Sequence, residues 1–311
     1  MVKWNGMAVV FGEVLVEEGA GAPVVGGAPF NVARHLAAFM APPLLITRIG
    51  DDRNGAAVRA EFERFVIPET GLQIDTMEET GRAVVERQGT SHRLTLLPRQ
   101  AYDFIDPALA AASVSGGAYD TVYFGTLAQR EPASRDALGR LLAATDACRY
   151  LDLNVRTGQV TERCVFASLH AADIVKVNEE ELQDLFGWYT HMRLPTDDMA
   201  GADVRHACAT LLRVFNLTGL IVTLGPRGAV YFGADGAYHA TPAPSVPVQL
   251  ADTVGAGDAF SAVFLLGRAR GWPLDVVLAR ANAFAGAVCG IVGAVPDDRA
   301  FYRPFIERWE P

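Results

Sequence analysis

The sequence predicts an α/β protein in which a doubly wound, mostly parallel sheet lies between helices and carries a small β lid. Three observations support this. Short β-branched runs alternate with amphipathic helical runs along nearly the whole chain, the pattern of parallel strands joined by helical crossovers. Half of the 311 residues are hydrophobic and a fifth are charged, enough apolar surface for one large core. Two stretches, residues 13–25 and 71–102, break the alternation and hold extended candidates without a good helix.

The apolar run at residues 7–11 reads as a first buried strand, too short before Glu13 for a signal peptide. Residues 29–40 read as a helix from the spacing of Phe30, Ala33, Leu36, Ala37 and Met40, with Pro29 suited to its first turn and Pro42-Pro43 ending it. A strand at 44–49 closes on Gly50-Asp51-Asp52, and 58–65 belongs to the next helix. Within the second irregular stretch, 83–87 and 93–97 read as strands separated by Gly89-Thr90. Further strands follow at 121–124, 149–153, 174–177 and 220–224, with helices between them. Residues 187–202 read as a surface loop, and helices at 258–270 and 274–291 close the chain. The expected division is a core of residues 1–12, 26–70 and 103–311, with 13–25 and 71–102 meeting as a lid over the edge of the sheet. The lid's open strand edges suggest a homodimer through that surface.

Charge and cysteine usage exclude several classes. A net charge of −9 without any Lys/Arg run argues against nucleic acid or an anionic membrane as partner. Cys148, Cys164, Cys208 and Cys289 are far apart, so neither a disulfide framework nor a zinc site is indicated, and a reducing cytoplasm fits best. The apolar stretch at 283–296 falls short of the roughly 20 residues that span a bilayer.

The chemistry concentrates in Asp252-Thr253-Val254-Gly255-Ala256-Gly257-Asp258, directly before an apolar helical run. Glycines let consecutive N–H groups turn into one concavity, and the helix behind adds its positive end, a cradle for a phosphoryl group. A carboxylate there would repel phosphate, so Asp258 is better read as the base that takes a proton from an attacking hydroxyl. The same residues would also serve as an ordinary helix cap. A P-loop is excluded, because the chain's two lysines, Lys3 and Lys176, each follow valine rather than glycine. A dinucleotide fingerprint lacks its third glycine, the position being Phe260, and no protein-kinase signature is present.

Three more segments complete a constellation: Gly26-Gly27-Ala28-Pro29-Phe30-Asn31, Asn178-Glu179-Glu180-Glu181, and Thr223-Leu224-Gly225-Pro226-Arg227-Gly228. In this order and spacing, over nearly the whole chain, the four segments resemble the ribokinase-like (PfkB) sugar kinase family. The resemblance implies a three-layer α/β/α fold of ribokinase type and transfer of the γ-phosphate of ATP to a sugar hydroxyl. On that reading Gly255, Ala256 and Gly257 form the anion hole and Asp258 is the base. Gly26 and Gly27 lie flat against the sugar ring, and the amide of Asn31 both donates to and accepts from its hydroxyls. Asn178 and Glu181 share a helix face and address one Mg²⁺–phosphate assembly through water, although the Glu179 to Glu181 run also fits a solvated first turn. Thr223, Gly225 and Gly228 stand at the carboxyl end of a buried strand, where open α/β sheets bind ligands, and would approach the nucleotide. The resemblance further implies adenine near Asn282 and a monovalent cation such as K⁺ held by Asp252 and the Val254 carbonyl. Lys176 has no assigned part and reads equally as an exposed strand end.

Within the family, Gly12-Glu13, Gly26-Gly27-Ala28-Pro29 and Asp152-Leu153-Asn154-Val155-Arg156 look most like fructokinases, and the same features recur in 2-keto-3-deoxygluconate kinases. Glu17 stands where an Asp commonly grips sugar hydroxyls. Arg156, and Arg99 from the lid, would favour an acidic or phosphorylated sugar if both face the pocket, while Arg99 fits a surface position as well. The competing class is a catalytically silent sugar or nucleotide sensor on the same fold.

Overall fold

The computed structural model describes residues 7–19, 22–88, 91–241 and 250–309. The chain opens with β1 (Met7–Phe11), then β2 (Leu15–Glu18) and β3 (Val24–Gly26), which lead into α1 (Ala28–Ala38). β4 (Leu44–Gly50) and α2 (Arg53–Phe65) follow, then β5 (Leu72–Asp75), β6 (Gly81–Gln88) and β7 (Ser91–Leu96). The alternation resumes with α3 (Pro107–Val114), β8 (Tyr119–Phe124), α4 (Pro132–Ala143), β9 (Cys148–Asp152), α5 (Glu162–Ala171) and β10 (Ile174–Asn178). After α6 (Glu179–Tyr189) and α7 (Ala202–Val214) come β11 (Gly219–Thr223), β12 (Ala229–Gly233) and β13 (Tyr238–Thr241). The last helices are α8 (Ala256–Ala269), α9 (Leu274–Val288) and α10 (Arg303–Trp309).

Nine strands form the main sheet in the order β13-β12-β11-β10-β9-β8-β1-β4-β5, parallel except for the hairpin at the β13 edge. From β1 the chain first winds to one side, through β4 and β5, and then to the other, from β8 onward. β1 and β8 are therefore neighbours at a topological switch point, and the crevice beyond their carboxyl ends is where such sheets bind ligands. Side chains alternate across the sheet into two cores. Val9, Phe11, Val122, Phe124 and Val175 pack with α3 to α7, whereas Val10, Tyr123, Tyr150 and Ile221 pack with α1, α2, α8, α9 and α10.

The second sheet has the order β3-β2-β6-β7, with β2 parallel to β6. Strands from the two irregular stretches thus pair in this sheet, whereas Leu72–Asp75 pairs with β4 in the main sheet. Its alternate residues are buried there, a signal too short to separate from lid texture. The Gly89-Thr90 turn lies outside the described residues. α2 starts a turn and a half before the apolar spacing shows, because the Asp52 carboxylate accepts from Gly55 N at 2.7 Å and caps it. The loop expected at 187–202 begins only after α6 ends at Tyr189.

Candidate active site

Gly255 begins α8 in the left-handed region, φ 78°, and a Cβ there would lie 2.4 Å from that of Ala294. Only glycine fits this turn. The first intrahelical bond runs from Ala259 N to Gly255 O at 2.8 Å, which leaves the Gly257 and Asp258 amides ahead of the helical ladder. Asp258 is buried, and its Oδ2 accepts from Asn31 Nδ2 at 2.7 Å. The Asn31 Oδ1 in turn accepts from Arg34 Nη2 at 2.6 Å, so the amide is fixed with its N–H toward the carboxylate. Burial pushes the Asp258 carboxyl up to about 6, against the Asn31 hydrogen bond, with Asp152 adding to the rise and Lys176 and Arg156 opposing it. A carboxyl so poised can take up a proton near neutral pH, as a general base requires.

The residues expected on the sugar side include Gly26, Gly27, Glu17 and Arg156. Gly27, φ 108°, caps α1, and a Cβ there would press on the Glu13 carbonyl at 2.7 Å. A Cβ on Gly26 would stand 3.1 Å from the Glu17 Oε1, so this carboxylate lies close over the Gly26 backbone. Burial raises the Glu17 carboxyl above the usual range while Arg156 and Arg34 draw it down. Arg156 is exposed and acts on the charges of Glu13, Glu17 and Asp258, and its guanidinium makes no hydrogen bond or ion pair with the described residues.

Beside this cluster opens a cavity of about 1150 Å³, lined by Asn178, Thr223, Gly225, Gly228, Asn282, Ala256 and Gly257 among others. Three strand ends and α9 thus converge on the start of α8. Asn178 and Glu181 form a reciprocal cap on α6: Asn178 Oδ1 accepts from Glu181 N and Glu181 Oε2 from Asn178 N, both at 2.9 Å, while Glu181 Oε1 accepts from Val155 N at 2.8 Å. Asp252 accepts from Val254 N at 3.0 Å and from Gly293 N at 3.2 Å, tying the loop before α8 to the one after α9. Among the described residues no three His, Cys, Asp or Glu side chains come together as a metal cage.

Residues 3–299 match the family described as pfkB family carbohydrate kinase. The chain belongs to the PfkB family of carbohydrate kinases. It is 29% identical over 301 residues to a fructokinase of Klebsiella pneumoniae, covering 92% of each chain. Its fold is similar to that of a fructokinase from Xylella fastidiosa with bound ATP, at a TM-score of 0.80, 20% identity and coverage of 98% and 100% of the two chains. It is likewise similar to an aminoimidazole riboside kinase from Salmonella enterica, complexed with aminoimidazole riboside and an ATP analog, at a TM-score of 0.78, 23% identity and coverage of 97% and 100%. The fold is thus the ribokinase-like three-layer α/β/α arrangement, and the chain is a carbohydrate kinase. No helix among its described residues is long and apolar enough to cross a membrane.

Three sequence expectations for the kinase need correction. Arg99 does not reach the pocket: it is exposed, pairs with Glu78 and stacks its guanidinium 5.2 Å from the Phe104 ring centroid. Lys176 is no exposed strand end but buried, with Nζ 2.7 and 2.8 Å from the two oxygens of Asp152. Glu181 spends both carboxylate oxygens on backbone N–H groups and does not line the cavity, so α6 presents Asn178, Glu179 and Glu180 there instead. In the sequence Glu13 stands out only as part of the fructokinase-like Gly12-Glu13 dipeptide. Its side chain is buried, its Oε2 has no hydrogen-bond partner among the described residues, and burial pushes the carboxyl up to about 7, with Arg156 drawing it down and Asp258 adding to the rise. The signal for it in the sequence is a carboxylate that follows a buried strand by a single glycine.

Proposed function

We propose that this kinase is ATP-dependent and phosphorylates a hydroxyl of a free hexose-type sugar, most closely fructose. The observation that carries the reading is the placement of Asp258: buried at the N-terminus of α8, held by Asn31 at 2.7 Å, and next in sequence to Gly257, which lines the cavity. In the proposed reaction the sugar oxygen forms a bond to the γ-phosphorus as the bond to the β,γ-bridging oxygen breaks. ADP leaves and the hydroxyl proton passes to Asp258. The free amides at the start of α8 would receive the charge of the transferring group.

The donor set suits a divalent ion such as Mg²⁺ bound chiefly by phosphate oxygens and water, with Asn178 and Glu181 behind the water shell, since Glu181 is already doubly hydrogen-bonded. Such an ion would neutralise charge on the transferring phosphate. Asp252 and the Val254 carbonyl support a monovalent cation site, with the Asp252 side chain holding two loops in register. The four free cysteines support a reducing cytoplasm. β3 and β7 are the edge strands of the small sheet, which supports pairing with a second copy, testable by the mass in solution.

One observation favours a second reading. The uncommitted guanidinium of Arg156 suits a sugar acid, which supports a 2-keto-3-deoxygluconate kinase. ATP consumption measured against fructose, ribose, 2-keto-3-deoxygluconate, nucleosides and sugar phosphates separates the two. Turnover stimulated by fructose, and lost by ~10²-fold or more in Asp258→Asn, supports the proposal. Turnover with none of these compounds would favour a silent sensor.

A further inference from the structure

Behind the proposed transfer centre lies a buried ion pair that the reaction as written does not use. Asp152, at the end of β9, accepts from Lys176 Nζ through both oxygens, from Ser261 Oγ at 2.9 Å and from Tyr123 Oη at 3.2 Å. Ser261 lies on α8 one turn after Asp258, so this carboxylate ties the helix to strands β8, β9 and β10 at once. Lys176 Nζ also sits where a side chain at Gly257 would begin, 3.3 Å from that Cβ position. One ammonium therefore lies beside Gly257, in the turn proposed to receive the phosphate, while its counter-ion anchors the helix that bears Asp258.

A buried pair of this kind seldom repays its desolvation as stability alone, since well-packed apolar side chains of like volume do as well or better. We propose that Lys176 and Asp152 are a positioning pair for phosphoryl transfer: they fix the first turn of α8 and set the electrostatic field in which Asp258 takes its proton. This rests on the reading of Asp258 as the base. The charged and titratable groups facing Asp258 are Glu13 after β1, Tyr123 on β8, Asp152 and Arg156 on and after β9, and Lys176 on β10, with Asn31 and Arg34 behind it on α1. Of these, Asp152 and Lys176 act on Asp258 in opposite directions, which makes their effects separable by sign.

The test is the acid limb of kcat/KM against pH for purified full-length enzyme, with ATP and the best sugar of the panel, in four proteins. Lys176→Met removes the positive charge and leaves Asp152 alone, so its midpoint moves up by ~0.5 pH or more. Asp152→Asn removes the negative charge while keeping the shape and an acceptor, so its midpoint moves down. Lys176→Arg keeps the charge and holds the wild-type midpoint. Unshifted midpoints, or shifts of the same sign in Met and Asn variants, overturn the proposal even if turnover falls. If Lys176→Met does not fold, the Arg and Asn variants still decide, because an Arg midpoint displaced as far as that of Asn excludes a role through charge. Asp258→Asn in parallel separates the two readings: near-normal turnover there removes the base itself, whereas a silent Asp258→Asn with unshifted pair variants removes only the pair.

Discussion

The sharpest consequence of the site is that one carboxyl should titrate near pH 6 in two independent measurements. Burial carries Asp258 from its ordinary 3.8 to about 6. If it is the base, it must be unprotonated to act, so kcat/KM should fall about tenfold between its plateau and pH 5, with a midpoint near 6. The same displacement corresponds to about 3 kcal/mol of linked stability. The sign follows from the direction: with the folded value raised above the unfolded one, the contribution is present below about pH 4 and is lost as pH rises through 6. Asp258→Asn abolishes the titration yet keeps an oxygen for the Asn31 amide. Its urea-unfolding free energy should therefore exceed wild type by up to ~3 kcal/mol at pH 7.5 and match it within ~1 kcal/mol near pH 4. An acid limb centred near 4, together with a stability difference that does not change with pH, would refute the argument that burial sets this carboxyl for its task.

Three further outcomes are expected. Gly255→Ala forces a left-handed residue against Ala294 at 2.4 Å, and should lower stability by about 1–3 kcal/mol in thermal unfolding and turnover by tenfold or more. Arg156→Ala should raise KM for the sugar, whereas Arg99→Ala, which loses a surface pair with Glu78 and a contact with the Phe104 ring, should change stability by under ~1 kcal/mol and leave KM alone in steady-state assays. Glu13→Gln removes a carboxyl that burial raises from 4.5 to about 7. Wild type loses that linked stability as pH rises through 7, so the variant should be the more stable at pH 8 by up to ~3 kcal/mol and near parity at pH 4.5 in urea titrations.

Much of the molecule is legible in the sequence because its signals are local. β1, β4 and β10 are runs rich in apolar, β-branched residues, α1 and α8 carry helical spacing behind Pro29 and Gly255, and each glycine-bearing turn follows or precedes such a run. The four-segment order and the family it marks depend on nothing else. What fails is whatever depends on direction and partner. Arg99 and Arg156 look alike as chemistry, but Glu78 and Phe104 hold one on the surface while the other stays uncommitted beside Glu17 and Asp258. Asn31 reads as a ligand for sugar hydroxyls, and nothing local in the sequence shows that its amide also donates to Asp258 and accepts from Arg34.

By itself, then, the sequence determined the layered α/β architecture, the sugar-kinase family, and the acid stationed at the glycine turn, since each is written in spacing along a few consecutive residues. The tertiary structure alone decided that Asn31 meets Asp258 across 227 positions of chain, that Lys176 is buried against Asp152 rather than solvated, and that Leu72–Asp75 joins the main sheet. Proton affinity and ion pairing arise from burial and from charges that packing brings together, and such distances are properties of the folded chain, not of its order.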